Sequence, residues 1–234
     1  MTNLKTLLIS AILPANTFSD LSFLASLNQL EDLRLNNNRA ITTLESALAS
    51  KNTLKRLEII NNELSEDVLP QVAQFTNITE IRAGGNKLYD ISSLASLHQI
   101  TEASKSSFPD QVATKTTLTQ VLPNPIKNRD GSIVPITETI DVINVDASGT
   151  PDQNGGYIKV KKEGQGTVTV NWQAPLTPEL HKHFSGILTI NYDIDLTPPT
   201  VTITSPTSIT AANATTYPVT GTCSEIGKPV TITI

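Results

Sequence analysis

Six charged residues recur at an interval of 24 positions, and their signs reverse at each step. They are Asp32, Arg56 and Glu80 and, two residues on, Arg34, Glu58 and Arg82. If each trio sits on neighbouring strands, its side chains are close enough to pair across them. The chemistry on offer is carboxylate–guanidinium pairing. It forms either a ladder of solvated ion pairs, each worth about 0–1 kcal/mol, or a polar recognition face on which arginine is a frequent anchor. Asn36 and Ile60 follow two residues further along in the same frame, and Ile60 is the one aliphatic position flanked by charge. The expected outward columns read Ser10, Asp32, Arg56, Glu80, Glu102, then Ile12, Arg34, Glu58, Arg82, Ser104, then Pro14, Asn36, Ile60, Gly84, Ser106. None of these positions is aromatic, although recognition faces commonly carry aromatic anchors.

Other chemistry finds thin support. His181-x-His183 would place two imidazoles on one face of a strand, with no third ligand nearby in sequence. Asp146, Asp152 and Asn154, or Asn128 and Asp130, offer the oxygen ligands that calcium takes. Neither run has EF-hand spacing, and hairpin turns use the same residue types. No phosphate-cradling glycine loop, G-x-S-x-G elbow or H-E-x-x-H pair occurs. The expectation is a protein that is not an enzyme and holds no cofactor or metal. Cys223 is the single cysteine, which excludes a disulfide framework and a thiolate metal site; a small buried hydrophobe in a strand is expected.

The elements that must position the charges are repeats. Asn16, Asn38, Asn62 and Asn86 each follow an apolar frame. The frame reads Leu8, Ala11, Leu13, then Leu30, Leu33, Leu35, then Leu54, Leu57, Ile59, then Ile78, Ile81, Ala83. A fifth copy begins at Leu97, Ile100 and Ala103 but has Phe108 where asparagine is due. This is the signature of a leucine-rich-repeat solenoid, in which each coil lends one short parallel strand to a shared sheet. The asparagine at each turn can bond to buried backbone, so stacked copies make a ladder. Met1–Leu13 can be read either as part of the first repeat or as a short signal peptide with one lysine and an apolar core.

From Phe108 the pattern changes to short strands of period two. They include Ile140–Val145, Tyr157–Val160, Val168–Trp172 and Leu188–Tyr192, with a hairpin turn at Asn128-Arg-Asp-Gly131. A β-sandwich with Trp172 in its core is expected. Asp195-Leu-Thr-Pro-Pro-Thr200 reads as a stiff linker before a further run of strands, the start of a second sandwich. The expected organisation is therefore residues 1–107 (repeats), 108–194 (immunoglobulin-like sandwich) and 195–234 (linker and a truncated second sandwich). Net charge is −5 with no basic accumulation, which argues against nucleic acid as a partner. No apolar stretch approaches the roughly 18–20 residues of a membrane helix.

Asp90-Ile-Ser-Ser-Leu-Ala-Ser-Leu97 resembles the 22-residue repeat of the bacterial internalins. Phe108-Pro-Asp-Gln, Leu122-Pro-Asn-Pro-Ile-Lys-Asn-Arg-Asp-Gly-Ser132 and Phe184-Ser-Gly-Ile-Leu-Thr189 resemble the immunoglobulin-like module fused to those repeats. Thr197-Pro-Pro-Thr-Val-Thr-Ile-Thr-Ser205 is similar to the opening of tandem domains in large bacterial surface adhesins. The resemblance implies a monomeric secreted or surface protein. Its concave repeat face would bind a protein or glycoprotein on a host or neighbouring cell, and the sandwich would extend the repeat sheet as a rigid spacer. The alternative is a structural stalk or matrix scaffold with its binding site elsewhere on a longer chain.

Overall fold

The computed structural model of the protein describes residues 3–10, 18–100, 106–139, 142–143, 156–175, 183–197, 199–204 and 221–224. The chain is mostly β with few helices. It divides into two compact units, Met1–Ile194 and Asp195–Ile234.

The first unit opens with four parallel strands in sequence order: β1 (Thr6–Ser10), β2 (Asp32–Asn36), β3 (Arg56–Glu58) and β4 (Glu80–Arg82). Alternation makes them strands. Leu33, Leu35, Leu57, Ile59 and Ile81 point inward and are buried, while the residues between them point outward. After β2, β3 and β4 the chain turns at Asn37, Asn61 and Gly85, all at positive φ (60°, 57° and 67°), where glycine and asparagine sit most easily. The return path carries short 3₁₀ turns at Ser22–Ser26, Glu45–Ser50, Glu66–Val68 and Ser92–Leu94 and one short helix, α1 (Leu69–Val72). Their apolar residues Leu24, Leu44, Val72, Phe75 and Leu94 fill the space behind the sheet.

Three buried asparagines tie successive strand-and-turn segments together. Asn62 accepts from the Asn38 amide (2.6 Å) and donates to the Leu35 carbonyl (2.5 Å). Asn86 accepts from the Asn62 and Leu64 amides (3.1 Å each) and donates to the Ile59 and Ala83 carbonyls (2.8 and 2.9 Å). Asn38 donates to Ile9 and Asn36. Asn16 lies outside the described residues.

The first and fifth copies are phased differently from the sequence expectation. Thr6 pairs with Asp32, Leu7 with Leu33, Leu8 with Arg34 and Ile9 with Leu35, an offset of 26 residues instead of 22. Leu8 is therefore not interior with Leu30, Leu54 and Ile78; it is 59% exposed while those three are fully buried. The reason is that Leu4-x-x-Leu7-x-Ile9 satisfies the same apolar frame four residues earlier, which moves Leu8 from the place of Leu30 to that of Arg34, an outward position of the strand. At the other end Ser107 bridges Arg82, an offset of 25, so Ser106 is buried and not outward; its hydroxyl accepts from the Ile81 amide (2.9 Å). Glu102 and Ser104 lie outside the described residues.

β5 (Phe108–Thr117) joins two structures along its length. Its start is bonded to the repeats, with the Gly85 amide donating to the Pro109 carbonyl (3.0 Å) and the Val112 amide to the Asn86 carbonyl (2.7 Å). The strands that follow are β6 (Val121–Pro123), β7 (Ile136–Thr139), β8 (Val142–Ile143), β9 (Tyr157–Val160), β10 (Gly164–Pro175) and β11 (His183–Ile194). They form one sheet in the order β5-β11-β10-β7 and another in the order β6-β9-β8. β5 runs parallel to β11, with a bulge at which Phe108 faces Phe184 but Gln111 faces Gly186. Asp110 takes up the extra residue at φ 55°. Trp172 is buried, packed edge-on to Phe184 with ring centroids 5.5 Å apart. Gly186 permits this approach, since a Cβ there would lie 2.5 Å from the Gln111 carbonyl and 2.7 Å from the Trp172 ring.

In the second unit β12 (Val201–Ile203) pairs antiparallel with β13 (Gly221–Cys223). Cys223 is half-exposed in β13, not buried as its residue type suggests, because it sits in this exposed two-stranded ribbon.

Candidate functional site

The parallel register puts the expected trios side by side. Asp32, Arg56 and Glu80 are successive partners across β2, β3 and β4, and so are Arg34, Glu58 and Arg82. Glu58 is the hub. It is only 5% exposed, its Oε1 is paired with Arg56 and lies 3.5 Å from Arg82 Nη1, and its Oε2 accepts from Asn36 Nδ2 (3.1 Å). Arg34 Nε stands 4.0 Å from the same carboxylate. Burial works to raise the Glu58 pKa. The bonds from Arg56 and Asn36 and the charges of Arg56 and Arg34 outweigh it, so the carboxyl titrates below its ordinary range.

The pairing is not the purely cross-strand ladder that the spacing suggests. Arg34 bonds in a fork to Asp32 on its own strand (2.9 and 2.7 Å), and this bond raises the arginine's pKa further. Arg82 Nε lies 2.7 Å from Glu80 Oε1, again within one strand, while Arg56 Nε is 3.6 Å from that same oxygen. Residues i and i+2 share a face of a strand, so an arginine reaches its own neighbour as readily as the next strand. The six charges sum to zero.

Ile60 is half-buried beside this network and its amide donates to Asn36 Oδ1 (3.0 Å). It is thus less prominent than a lone outward aliphatic would be. Gly84, also expected to face outward, is buried, with Pro109 against it. Sequence reasoning missed Leu8, the partner of Arg34, which is the most exposed aliphatic on the face. The pattern Leu4-x-x-Leu7-x-Ile9 was the signal that places it there. Beyond the edge of the charged columns, Glu31 is bonded by Lys5 and by Lys55 (2.7 Å), which hold its pKa down at about 2.

The other candidates resolve as follows. Asn128 and Asp130 build the expected hairpin turn. The Gly131 amide donates to the Asn128 carbonyl (3.0 Å), and Asp130 Oδ1 accepts from the amide and hydroxyl of Ser132 (2.9 and 2.5 Å). Asp146, Asp152, Asn154 and His181 lie outside the described residues, and His183 begins β11. Among the described residues no group of three or more His, Cys, Asp or Glu could hold a metal. Among them, too, no helix is long and apolar enough to cross a membrane.

No protein-family model matches the chain, and no curated protein matches it in sequence. Among solved structures, it is similar to the functional domain of InlJ from Listeria monocytogenes, at 16% identity and a TM-score of 0.49 over 73% of this chain. It is also similar to the CBM51-2 and INT domains of Clostridium perfringens ZmpB, solved with GlcNAc, at 16% identity and a TM-score of 0.34 over 52% of this chain. The match spans 40% of the first of those chains and 26% of the second.

Proposed function

We propose that the chain is a bacterial surface or secreted binding module of the internalin type. In this reading a leucine-rich-repeat solenoid presents its outward sheet face to a protein or glycoprotein on a host or neighbouring cell, and an immunoglobulin-like sandwich carries it. The 24-residue strand interval and the buried asparagine ladder support the solenoid. The two sheets around Trp172 support the sandwich.

The observation that carries the binding role is the arginine cluster around Glu58. Arg34, Arg56 and Arg82 are 31%, 25% and 32% exposed, so each is held in place yet keeps part of its guanidinium toward solvent. Side chains ordered before binding lose little entropy on binding, which suits an interface anchor. A partner with carboxylate or other acceptor groups at strand spacing fits this face.

The test is the full-length protein carrying Arg34→Glu and Arg82→Glu, compared with Lys87→Glu, a charge reversal at an exposed turn. Attachment to target cells should fall at least about tenfold for the first and stay unchanged for the second. Attachment indifferent to both would remove the recognition role and leave the stalk reading. Two observations favour that second reading: the network neutralises itself, and among the described outward positions none is aromatic.

A further inference from the structure

A cavity of 360 Å³ opens on the first unit, lined by none of the outward sheet residues. Four stretches of chain build it: the turn at Glu66, the turn at Tyr89–Ser93, Lys115 of β5, and the segment at Lys127. That segment is clamped to the repeats by main-chain bonds, Lys127 amide to Tyr89 carbonyl and Ile91 amide to Lys127 carbonyl, 3.0 Å each. The site is a fixed fold feature, not a loop crevice.

Its charges are unequally matched. Lys127 Nζ lies 3.4 Å from Asp90 Oδ2 and is compensated. Lys115 Nζ stands 5.6 Å from the Tyr89 ring centroid and makes no ion pair among the described residues. Glu66 turns its Oε1 to the main chain and not to Lys115. Burial pushes its pKa up, and the nearby Asp90 adds to this against the bonds that its Oε1 accepts from the amides of Tyr89 (2.6 Å) and Asp90 (3.4 Å). The cavity offers the Lys115 ammonium beside an aromatic ring, with no ion-pair partner among the described residues. Carboxyl and hydroxyl oxygens of Glu66, Asp90 and Ser93 stand around it. Its volume admits a single pyranose, and mixed donors and acceptors suit ring hydroxyls.

We propose that this cavity binds a sugar acid, one pyranose bearing a carboxylate, with Lys115 taking the carboxylate and Glu66, Asp90 and Ser93 taking ring hydroxyls. The site is independent of the sheet face, and its failure would leave the arginine cluster untouched.

Glucuronate, glucose and acetate, titrated separately into the full chain and followed by calorimetry and ligand-observed NMR, test it. Glucuronate should saturate with a Kd of about 1 mM, and glucose and acetate should each bind about tenfold more weakly. Lys115→Met should cost about tenfold for glucuronate and nothing for glucose, while Lys115→Arg should retain part of the affinity. An unchanged circular-dichroism spectrum excludes misfolding. Acetate binding as tightly as glucuronate would show a plain anion site and overturn the proposal. Equal binding of glucose, absence of saturation, or indifference to Lys115→Met would overturn it as well.

Discussion

Replacing Asn62 by alanine should weaken the protein far more than replacing Asn61, its neighbour in sequence. The Asn62 side chain satisfies one buried amide, Asn38, and one carbonyl, Leu35, and is itself fully buried. Alanine leaves both groups without that partner, at about 1–3 kcal/mol each, so about 2–6 kcal/mol is expected. Asn86 serves two amides and the carbonyls of Ile59, Ala83 and Gly84, and its alanine variant should cost at least as much. Asn61 is exposed and its side chain donates only to Asn37 across a solvent-facing turn, although its φ of 57° favours asparagine. Its alanine variant should cost about 1 kcal/mol. Urea denaturation of the three variants gives the comparison, and amide exchange at Asn38 and Leu64 reports the local opening. If Asn62→Ala and Asn86→Ala fall within about 0.5 kcal/mol of Asn61→Ala, the buried ladder does not hold the coils together.

Gln111→Leu should destabilise by about 1–3 kcal/mol and open the junction first. The reason is that Gln111 Oε1 accepts from the Leu88 amide (3.1 Å) and Nε2 donates to the Ala83 carbonyl (2.8 Å); exchange at Leu88 checks it. Gly186→Ala should cost about 1–3 kcal/mol by overpacking and shift the Trp172 fluorescence, because the new methyl meets the Gln111 carbonyl and the indole. Glu31 should titrate near 2 by carboxyl NMR. Because this folded value lies below the ordinary 4.5, its stabilisation is present above pH 4.5 and is lost as pH falls toward 2; salt at 1 M should raise the measured value as the Lys5 and Lys55 charges are screened. Glu58 has the same sign, so Glu58→Gln should flatten the acid limb of the stability profile.

The central strands were legible because Leu30 to Ala83 repeat a frame with no insertion, and 24 residues on meant one strand across. The ends were not. Leu4, Leu7, Ile9 and Leu8, Ala11, Leu13 both satisfy the frame, and only pairing with β2 decides between them. At the other end Gln111, not an asparagine, takes the ladder's next place. Its longer side chain reaches the Ala83 carbonyl from a strand that already belongs to the following sheet. β5 itself left little trace in the sequence, since its inward positions include Gln111, Ala113 and Thr117, and polar or small residues give no apolar alternation. The charged columns were readable as positions but not as partners, because arginine reach spans both the next strand and the next outward residue. The Lys115 cavity had no sequence signal, since its walls are drawn from four separate stretches.

The parallel pairing of β5 with β11 has a mechanical consequence. β5 is anchored to the repeats at its beginning, and β11 leaves the unit at its end, Ile194. A pull on Ile194 against the repeats thus slides the two strands along each other. Eight register partners from Phe184–Phe108 to Tyr192–Thr117 resist together instead of unzipping one at a time. Tension delivered through the downstream chain meets a shear clamp at the point where the two halves of the unit are joined.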